Sequence, residues 1–340
     1  MKVHSLLVSL LIGVAGTQSA WVMARDGFQD VLDSPAVMTE LSSRQLITGL
    51  AKAGKRIVGV GRRGHIVYSD DDGSTWQQSR VPVSSDLNAV NFPSPQVGWA
   101  VGHDGVVLRS TDGGLSWERK LDARMARELL PAGGGESAND TTADLSFLGL
   151  WFETERQGFI VGAFNQIWRT TDGGNSWESW SNRAENPMGL HLYAIRAIGA
   201  DIYVAAEAGL LMKLDRQVGQ FKRLDSNAAG TFFGITGTPD HLVAYGLRGS
   251  IVVSSDAGSH WRSVETEVAT SLIADGMTAA GDVMLLSQDG QVLVSRNNGT
   301  DFTKVSALAP VSVAASVVPL DDGRSLVVGS GQGLSKQVLR

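Results

Sequence analysis

A chain of 340 residues with 43% hydrophobic and 19% charged residues carries ample apolar material for a buried core. Its formal net charge of −6 excludes the basic field that broad nucleic-acid binding needs, so no nucleic-acid partner is expected. With no cysteine, this sequence offers no disulfide, no thiolate metal site and no point of lipid attachment, and no metal or cofactor is expected.

Residues 1–24 read as an export signal: Lys2 supplies a positive start, Leu6 to Ala15 is a short apolar run, and Val22-Met23-Ala24 sets small residues where a signal peptidase reads. The apolar run is too short to span a bilayer, and no later stretch reaches that length. The expectation is cleavage of 1–24 and an exported, soluble, periplasmic protein whose single domain covers 25–340. Arg25 to Thr39 shows neither a helical stripe nor strict alternation, which leaves a linker or an extended strand.

From Gln45 a repeat sets in. Its signature is a polar turn of the form S-x-D-x-G-x-x-W: Ser69, Asp71, Gly73 and Trp76, then Ser110, Asp112, Gly114 and Trp117. It returns as Thr170, Asp172, Gly174 and Trp177, as Ser254, Asp256, Gly258 and Trp261, and worn down as Ser295, Asn297, Gly299 and Phe302. Asp71 to Asp112 and Asp256 to Asn297 are each 41 positions, and a fixed period near forty marks a repeat architecture.

The second repeat shows the unit most plainly. Leu87 to Phe92, Val97 to Gly102, Val106 to Arg109 and Ser116 to Leu121 are short runs bounded by Pro93-Ser94-Pro95-Gln96, His103-Asp104-Gly105 and the box. Four short antiparallel strands per forty residues form one blade of an all-β propeller. Asp122 to Asp144 interrupts the period as an insertion between blades two and three, and Asp122 to Leu130 is helix-like before Pro131 and Gly133-Gly134-Gly135.

Blade three takes Phe147 to Phe152, Gly158 to Gly162, Ile167 to Thr170 and Trp177 onward. Blade four uses Leu192 to Ala197, Ile202 to Ala206 and Leu210 to Leu214, with a box decayed to Asp215, Gly219 and Phe221. Blade five runs through Phe232 to Gly237, Leu242 to Gly246 and Ser250 to Val253, and blade six through Leu272 to Gly276, Val283 to Ser287 and Val292 to Ser295. A seventh, Val313 to Val318, Ser325 to Gly329 and Leu334 to Arg340, has three strands and no box. A closed ring wants a fourth strand there, and Phe28 to Thr39 is the expected donor, so that the N- and C-terminal segments pair. Six blades is the fallback count if the last stretch is only a tail.

The box is expected to be structural. Its aspartate can accept hydrogen bonds from its own turn, its glycine supplies a positive φ, and its tryptophan buries a ring between blades. Copies around a ring cannot all be one active site.

Val60-Gly61-Arg62-Arg63-Gly64-His65-Ile66 ahead of Ser69-Asp70-Asp71-Asp72-Gly73-Ser74-Thr75-Trp76 resembles the pattern of the Ycf48/HCF136 photosystem II assembly factors: glycine, turn arginine, aliphatic pair, box. Gly98-Trp99-Ala100-Val101-Gly102-His103-Asp104-Gly105 with Ser110-Thr111-Asp112-Gly113-Gly114 is similar again. The boxes alone resemble the Asp-box (BNR) repeats of sialidases and some glycosidases as well. The Ycf48-like resemblance implies a seven-bladed propeller acting as a non-catalytic scaffold for assembly or stability of a membrane protein complex. That client is photosystem II in photosynthetic relatives, with the protein in the thylakoid lumen, and a transporter elsewhere. Cyanobacterial members are typically lipid-anchored through cysteine, so this chain is expected to reach the membrane through a partner, as a monomer.

A partner site is expected on the face opposite the boxes, where the turns between strands two and three emerge. Arg62, Arg63, His103, Asp104 and Arg248 are the candidates, with Phe164, Asn165, Glu207, Leu247, Gln288 and Asp289 on the same face. Arg63 best matches the turn arginine of the family pattern, and arginines suit bidentate contact with carboxylate or phosphate. The alternative, a glycan-active or glycan-binding propeller, offers only Tyr193, Arg196 and Glu207 as a sialidase-like trio, or Asp275 with Asp104 or Glu207 as a carboxylate pair. No G-x-S-x-G, P-loop or H-E-x-x-H occurs, and the histidines show no metal-ligand spacing, so an enzyme is not expected.

Overall fold

The computed structural model describes residues 29–130, 145–278, 280–305, 311 and 313–339. The expected signal sequence and 131–144, most of the expected insertion, lie outside the described residues.

Seven antiparallel sheets follow one another along the chain. Blade one is β1 (Ile47–Ala53), β2 (Arg56–Gly61), β3 (Ile66–Ser69) and β4 (Gln77–Gln78). Blade two is β5 (Leu87–Asn91), β6 (Gly98–Gly102), β7 (Val107–Ser110) and β8 (Glu118–Leu121), followed by helix α1 (Ala123–Leu129). Blade three holds β9 (Phe147–Phe152), β10 (Gly158–Gly162), β11 (Ile167–Thr170) and β12 (Glu178–Ser179), and blade four β13 (Leu192–Ile198), β14 (Asp201–Ala206), β15 (Leu211–Asp215) and β16 (Gln220–Leu224). Blade five holds β17 (Phe232–Thr238), β18 (His241–Gly246), β19 (Ile251–Ser254) and β20 (Arg262–Ser263). Blade six holds β21 (Leu272–Met277), β22 (Val283–Ser287), β23 (Val292–Ser295) and β24 (Thr303–Val305), and blade seven β25 (Ala314–Pro319), β26 (Ser325–Ser330) and β27 (Gly333–Val338). This is the seven-bladed propeller expected from the repeat.

Second strands are continuous apolar runs because neighbouring blades cover both faces of each sheet; Gly98–Gly102 and Gly158–Gly162 are buried at every residue. The core therefore lies between blades. Val58, Val60 and Ile66 of blade one pack with Leu87, Leu108 and Trp117 of blade two. Trp99 of blade two stacks on Phe152 of blade three at 4.1 Å, and Trp177 meets both rings edge-on. Ile57 of blade one packs with Leu320 and Val327 of blade seven, and β1 lies beside β25, which closes the ring.

Two expectations about the ends differ from the structure. Among the described residues blade seven has three strands, and the segment offered as its fourth lies elsewhere. Residues 29–39 run antiparallel along the outer edge of blade one: Ser84 N–H donates to Val31 O (2.8 Å) and Ala36 N–H to Val81 O (3.1 Å). The Gln78 amide extends the pairing, accepting from Thr39 N–H (2.8 Å) and donating to Val37 O (2.9 Å). Leu32 and Ala36 anchor this strap in the core between blades one and two. Ion pairs from Arg124 of α1 to Asp30 (2.7 Å) and Asp33 (2.9 Å) hold its start. The physical reason is local. The outer strand of blade one is only two residues long, so the chain beyond it has free backbone groups to pair.

The helix-like stretch of the insertion is α1. Its N-cap Asp122 accepts from Arg124 N–H (2.9 Å) and Met125 N–H (3.0 Å).

Candidate functional site

The turns between second and third strands share one backbone design. In blades one, two, three, four and five the middle residue, Arg63, Asp104, Phe164, Ala208 and Arg248, sits at φ between 51 and 56°. The preceding residue donates its N–H across to the chain entering the innermost strand: Arg62 to Leu46 O, His103 to Asp86 O, Ala163 to Ser146 O, Glu207 to His191 O and Leu247 to Thr231 O. The third position approaches backbone so closely that a Cβ on Gly64 would stand 2.1 Å from Val83 O. Arg63 is thus structurally matched by Arg248, which sequence spacing alone did not show.

All five expected contact residues emerge on this face, but they do not form one patch. Blades six and seven stand between Arg248 and Arg63 on the short way round the ring. Asp86 engages both turn arginines of blade one: Arg63 N–H donates to Asp86 Oδ1 (2.8 Å), and Arg62 Nε lies 3.9 Å from Asp86 Oδ2. The exposed Arg63 borders a groove of about 540 Å³ with Val31, Val37, Leu41 and His65, so the strap forms one of its walls. Arg248 is likewise exposed and borders a separate groove of about 400 Å³ with Asn227, Glu265 and Thr266. His103 is exposed and Asp104 half-buried. Asp289 is committed to its own blade, where it accepts from Thr270 Oγ1 (2.7 Å), Ser287 Oγ and Gln291 Nε2 (2.6 Å).

The boxes lie on the opposite face and are tied as expected. Asp71 accepts from Thr75 N–H (2.8 Å), Thr75 Oγ1 (2.6 Å) and Ser69 Oγ (2.7 Å). Ser69 Oγ in turn accepts from Gly73 N–H (2.8 Å), a bond repeated by Ser110, Thr170, Ser254 and Ser295. The bonds from Thr75, side chain first, and then from Ser69 hold the Asp71 carboxyl down at about 2. Ser176 and Thr170 do the same for Asp172, and His260 and Ser254 for Asp256. Trp117 and Trp177 are buried, whereas Trp76 and Trp261 are only partly so.

Inside the channel Arg196 is paired with Asp275, which also accepts from Tyr245 Oη (2.7 Å), and Arg196 donates to Thr236 Oγ1 (3.0 Å). Burial, then the Asp275 charge, pushes the Tyr245 phenol well up. Tyr193 Oη lies 3.5 Å from Glu207 Oε1, but Arg196, the third member of the sialidase-like trio, is spent on Asp275. Among the described residues no group of three or more His, Asp or Glu is placed to hold a metal ion.

Apart from Tyr193, sequence reading missed the residues that shape the channel mouth. Every innermost strand slips register at its second residue: Thr48, Asn88, Leu148, Tyr193, Phe233, Ile273 and Ala315. Such a bulge re-aims a side chain. Thr48 uses it to donate to Leu87 O (2.6 Å) and Asn88 to Phe147 O (2.8 Å), each in the next blade. In blades four and five the same position places Tyr193 against Phe233 at 5.2 Å, edge to face. A signal was present. Gly49, Ala89, Gly149, Ala194, Gly234 and Ala274 follow the bulge residue, and a Cβ on Gly149 would stand 2.9 Å from Tyr193 O.

With fold and face described, comparison with known proteins decides the relationship. The family described as Photosynthesis system II assembly factor YCF48 matches residues 68–129 and 137–309. This chain belongs to that family. Among curated relatives, rice "Photosystem II stability/assembly factor HCF136, chloroplastic" is 25% identical over 67% of this chain and 58% of its own length. The Arabidopsis thaliana protein of the same name is 23% identical over 72% and 62%. The Synechococcus "Photosystem II assembly lipoprotein Ycf48" is 32% identical over 35% of this chain and 32% of its own. The chain therefore spans less than two thirds of the length of these relatives.

Solved structures agree in fold. YCF48 from Cyanidioschyzon merolae superposes with a TM-score of 0.64 at 13% identity, covering 90% of this chain and 98% of that one. A structure titled "YCF48 bound to D1 peptide" gives 0.62 at 14%, over 90% and 96%. The WD40 propeller domain of Doa1 gives 0.64 at 13%, over 91% and 96%, so the likeness of shape carries the fold and nothing narrower. The relatives are named as assembly or stability factors, and among the described residues no helix is long and apolar enough to cross a membrane.

Proposed function

We propose that this chain is a non-catalytic scaffold that binds a segment of a membrane protein on its turn face and thereby assists assembly or stability of that protein's complex. Membership of the YCF48 family is the observation that carries the reading. The curated relatives are named for photosystem II, and one related propeller is described with a D1 peptide. In a photosynthetic organism the client is photosystem II and the protein acts in the lumen. Elsewhere the client is another membrane complex, such as a transporter, met in the periplasm after residues 1–24 have directed export. The chain works as a monomer and reaches the membrane through its client. Arg63 and Arg248, both exposed and each bordering its own groove, are two points of contact for acidic groups of that segment. The glycan reading loses support because Arg196 and Asp275 occupy one another.

The test is affinity capture from detergent-solubilised, crosslinked membranes of the source organism. Wild-type protein should recover subunits of one membrane complex. The double variant Arg63→Glu, Arg248→Glu should lose them while melting as wild type does, because both side chains are exposed. Undiminished capture by that variant refutes the placement of the site, and capture of no membrane protein refutes the role.

A further inference from the structure

The blade-three turn departs from its counterparts in a way the fold does not require. In blades one, two, four and five the left-handed pair ends in glycine: Gly64, Gly105, Gly209 and Gly249. In blade three both positions carry side chains, Phe164 at φ 53° and Asn165 at φ 62°. An aromatic residue resists that backbone region, yet Phe164 is 59% exposed and so gains little from burial. Strain kept at an exposed ring points to something the ring touches outside the fold.

The surroundings say what that partner would carry. Asn165 locks the turn: its N–H donates to Leu190 O (3.2 Å), its Nδ2 to Ser181 O (2.9 Å), and its Oδ1 accepts from Asn186 Nδ2 (2.9 Å). The loop so tied displays Met188, 76% exposed. Behind Phe164 lies His191 at 4.5 Å, ring edge toward ring. Phe164 N–H donates to His191 Nδ1 (3.0 Å), and His191 N–H donates to Glu207 Oε2 (2.8 Å). Tyr193 then links Glu207 to Phe233. The contacts of Glu207 are to the His191 main chain and the Tyr193 hydroxyl, and no lysine or arginine pairs with it among the described residues. A carboxylate with no lysine or arginine partner among the described residues, touched by the Tyr193 hydroxyl and joined through the His191 main chain to the turn that exposes Phe164, is complementary to an alkyl ammonium or guanidinium.

We propose that Phe164, Met188, His191, Tyr193, Glu207 and Phe233 form a subsite for a lysine or arginine side chain on an apolar stretch of a protein partner. The stem of that side chain lies along Phe164 and Met188, and its charge approaches Glu207. This rests on the reading that the turn face binds a polypeptide, and it adds a demand of opposite sign to that of Arg63 and Arg248.

The experiment is fluorescence polarisation of the full chain with three labelled, amidated peptides, Gly-Gly-Leu-X-Leu-Gly-Gly, where X is lysine, norleucine or glutamate. The lysine peptide should bind about tenfold tighter than either other. Glu207→Gln should bring lysine and norleucine within about twofold. Phe164→Gly should weaken both while leaving the melting temperature equal or higher, since glycine relieves the positive φ. A purely structural Phe164 would instead lower it, which overturns the proposal. Equal binding of lysine and norleucine peptides by wild type, or no binding of the lysine peptide, also overturns it. Arg63→Glu, Arg248→Glu should keep the lysine preference, so failure of client capture and failure of this subsite are read separately.

Discussion

Each box aspartate closes a loop of four or five residues with bonds from hydroxyl and backbone donors, and the charge of the carboxylate is part of the tie. Asp71, Asp172 and Asp256 are held at about 2, below the roughly 3.9 of an unfolded aspartate. A depressed carboxylate adds stability that is fully present above its unfolded pKa and is lost as pH falls through its folded pKa. The contribution of these three carboxylates to stability should therefore be level above about pH 5 and decline between about pH 4 and pH 2. Asp71→Asn should cost more at neutral pH than near pH 2.5 (differential scanning fluorimetry across pH decides), and an equal loss at both would show that charge is not the cause. Gly174 gives a second residue-scale expectation. It sits at φ 79°, and a Cβ there would stand 2.8 Å from the Trp99 ring. Gly174→Ala should cost about 2 kcal/mol or more in urea denaturation, from backbone strain plus overpacking. Asp71 and the positive φ of Gly174 were legible in the sequence because those demands lie within the box, whereas the Trp99 ring that crowds Gly174 belongs to the neighbouring blade. Tyr193 and Phe233 were not legible as a pair, because what they meet depends on a bulge in each strand and on the neighbouring blade.

At the scale of the element, the blades were legible and the strap was not. Short apolar runs separated by glycine and box turns define strands wherever both faces of a sheet are covered. Residues 29–39 have no such period; what directs them is the pair Leu32 and Ala36, four apart, entering one core between blades one and two. Topological need for a fourth strand in blade seven pointed to the wrong edge, because blade one offered unpaired backbone nearby. Leu32→Ala should destabilise by about 2–3 kcal/mol. Hydrogen exchange should then accelerate selectively at Ala36 and Ser84, whose amides the strap pairs; unchanged protection there would mean that Leu32 does not anchor the strap. At the interface of blades two and three, Trp177→Ala should cost about 3–5 kcal/mol, since the ring packs against both Trp99 and Phe152.

The molecule as a whole is a ring, and its cooperativity should follow from closure. Removing residues 306–340 deletes blade seven and strips Ile57 and Leu50 on one side, and Leu286 and Val292 on the other, of their cover. The truncated chain should lose a cooperative melt altogether in circular dichroism. A sharp transition near the wild-type temperature would mean that the blades stand alone like units of an open solenoid. The sequence by itself determined the blade and its box, because each is written within some forty residues and then repeated, and it favoured seven blades over six; the sheet topology settled seven, since the last repeat carries no box. The sequence also determined the face on which the turn arginines emerge, since strand order within a blade settles that. Only the tertiary structure decided that Arg63 and Arg248 stand apart across the ring, that the strap walls the Arg63 groove, and that Glu207 gathers His191 and Tyr193 beside an exposed Phe164. Those relations join residues from different blades, and the chain acquires them when ring closure sets how the blades face one another.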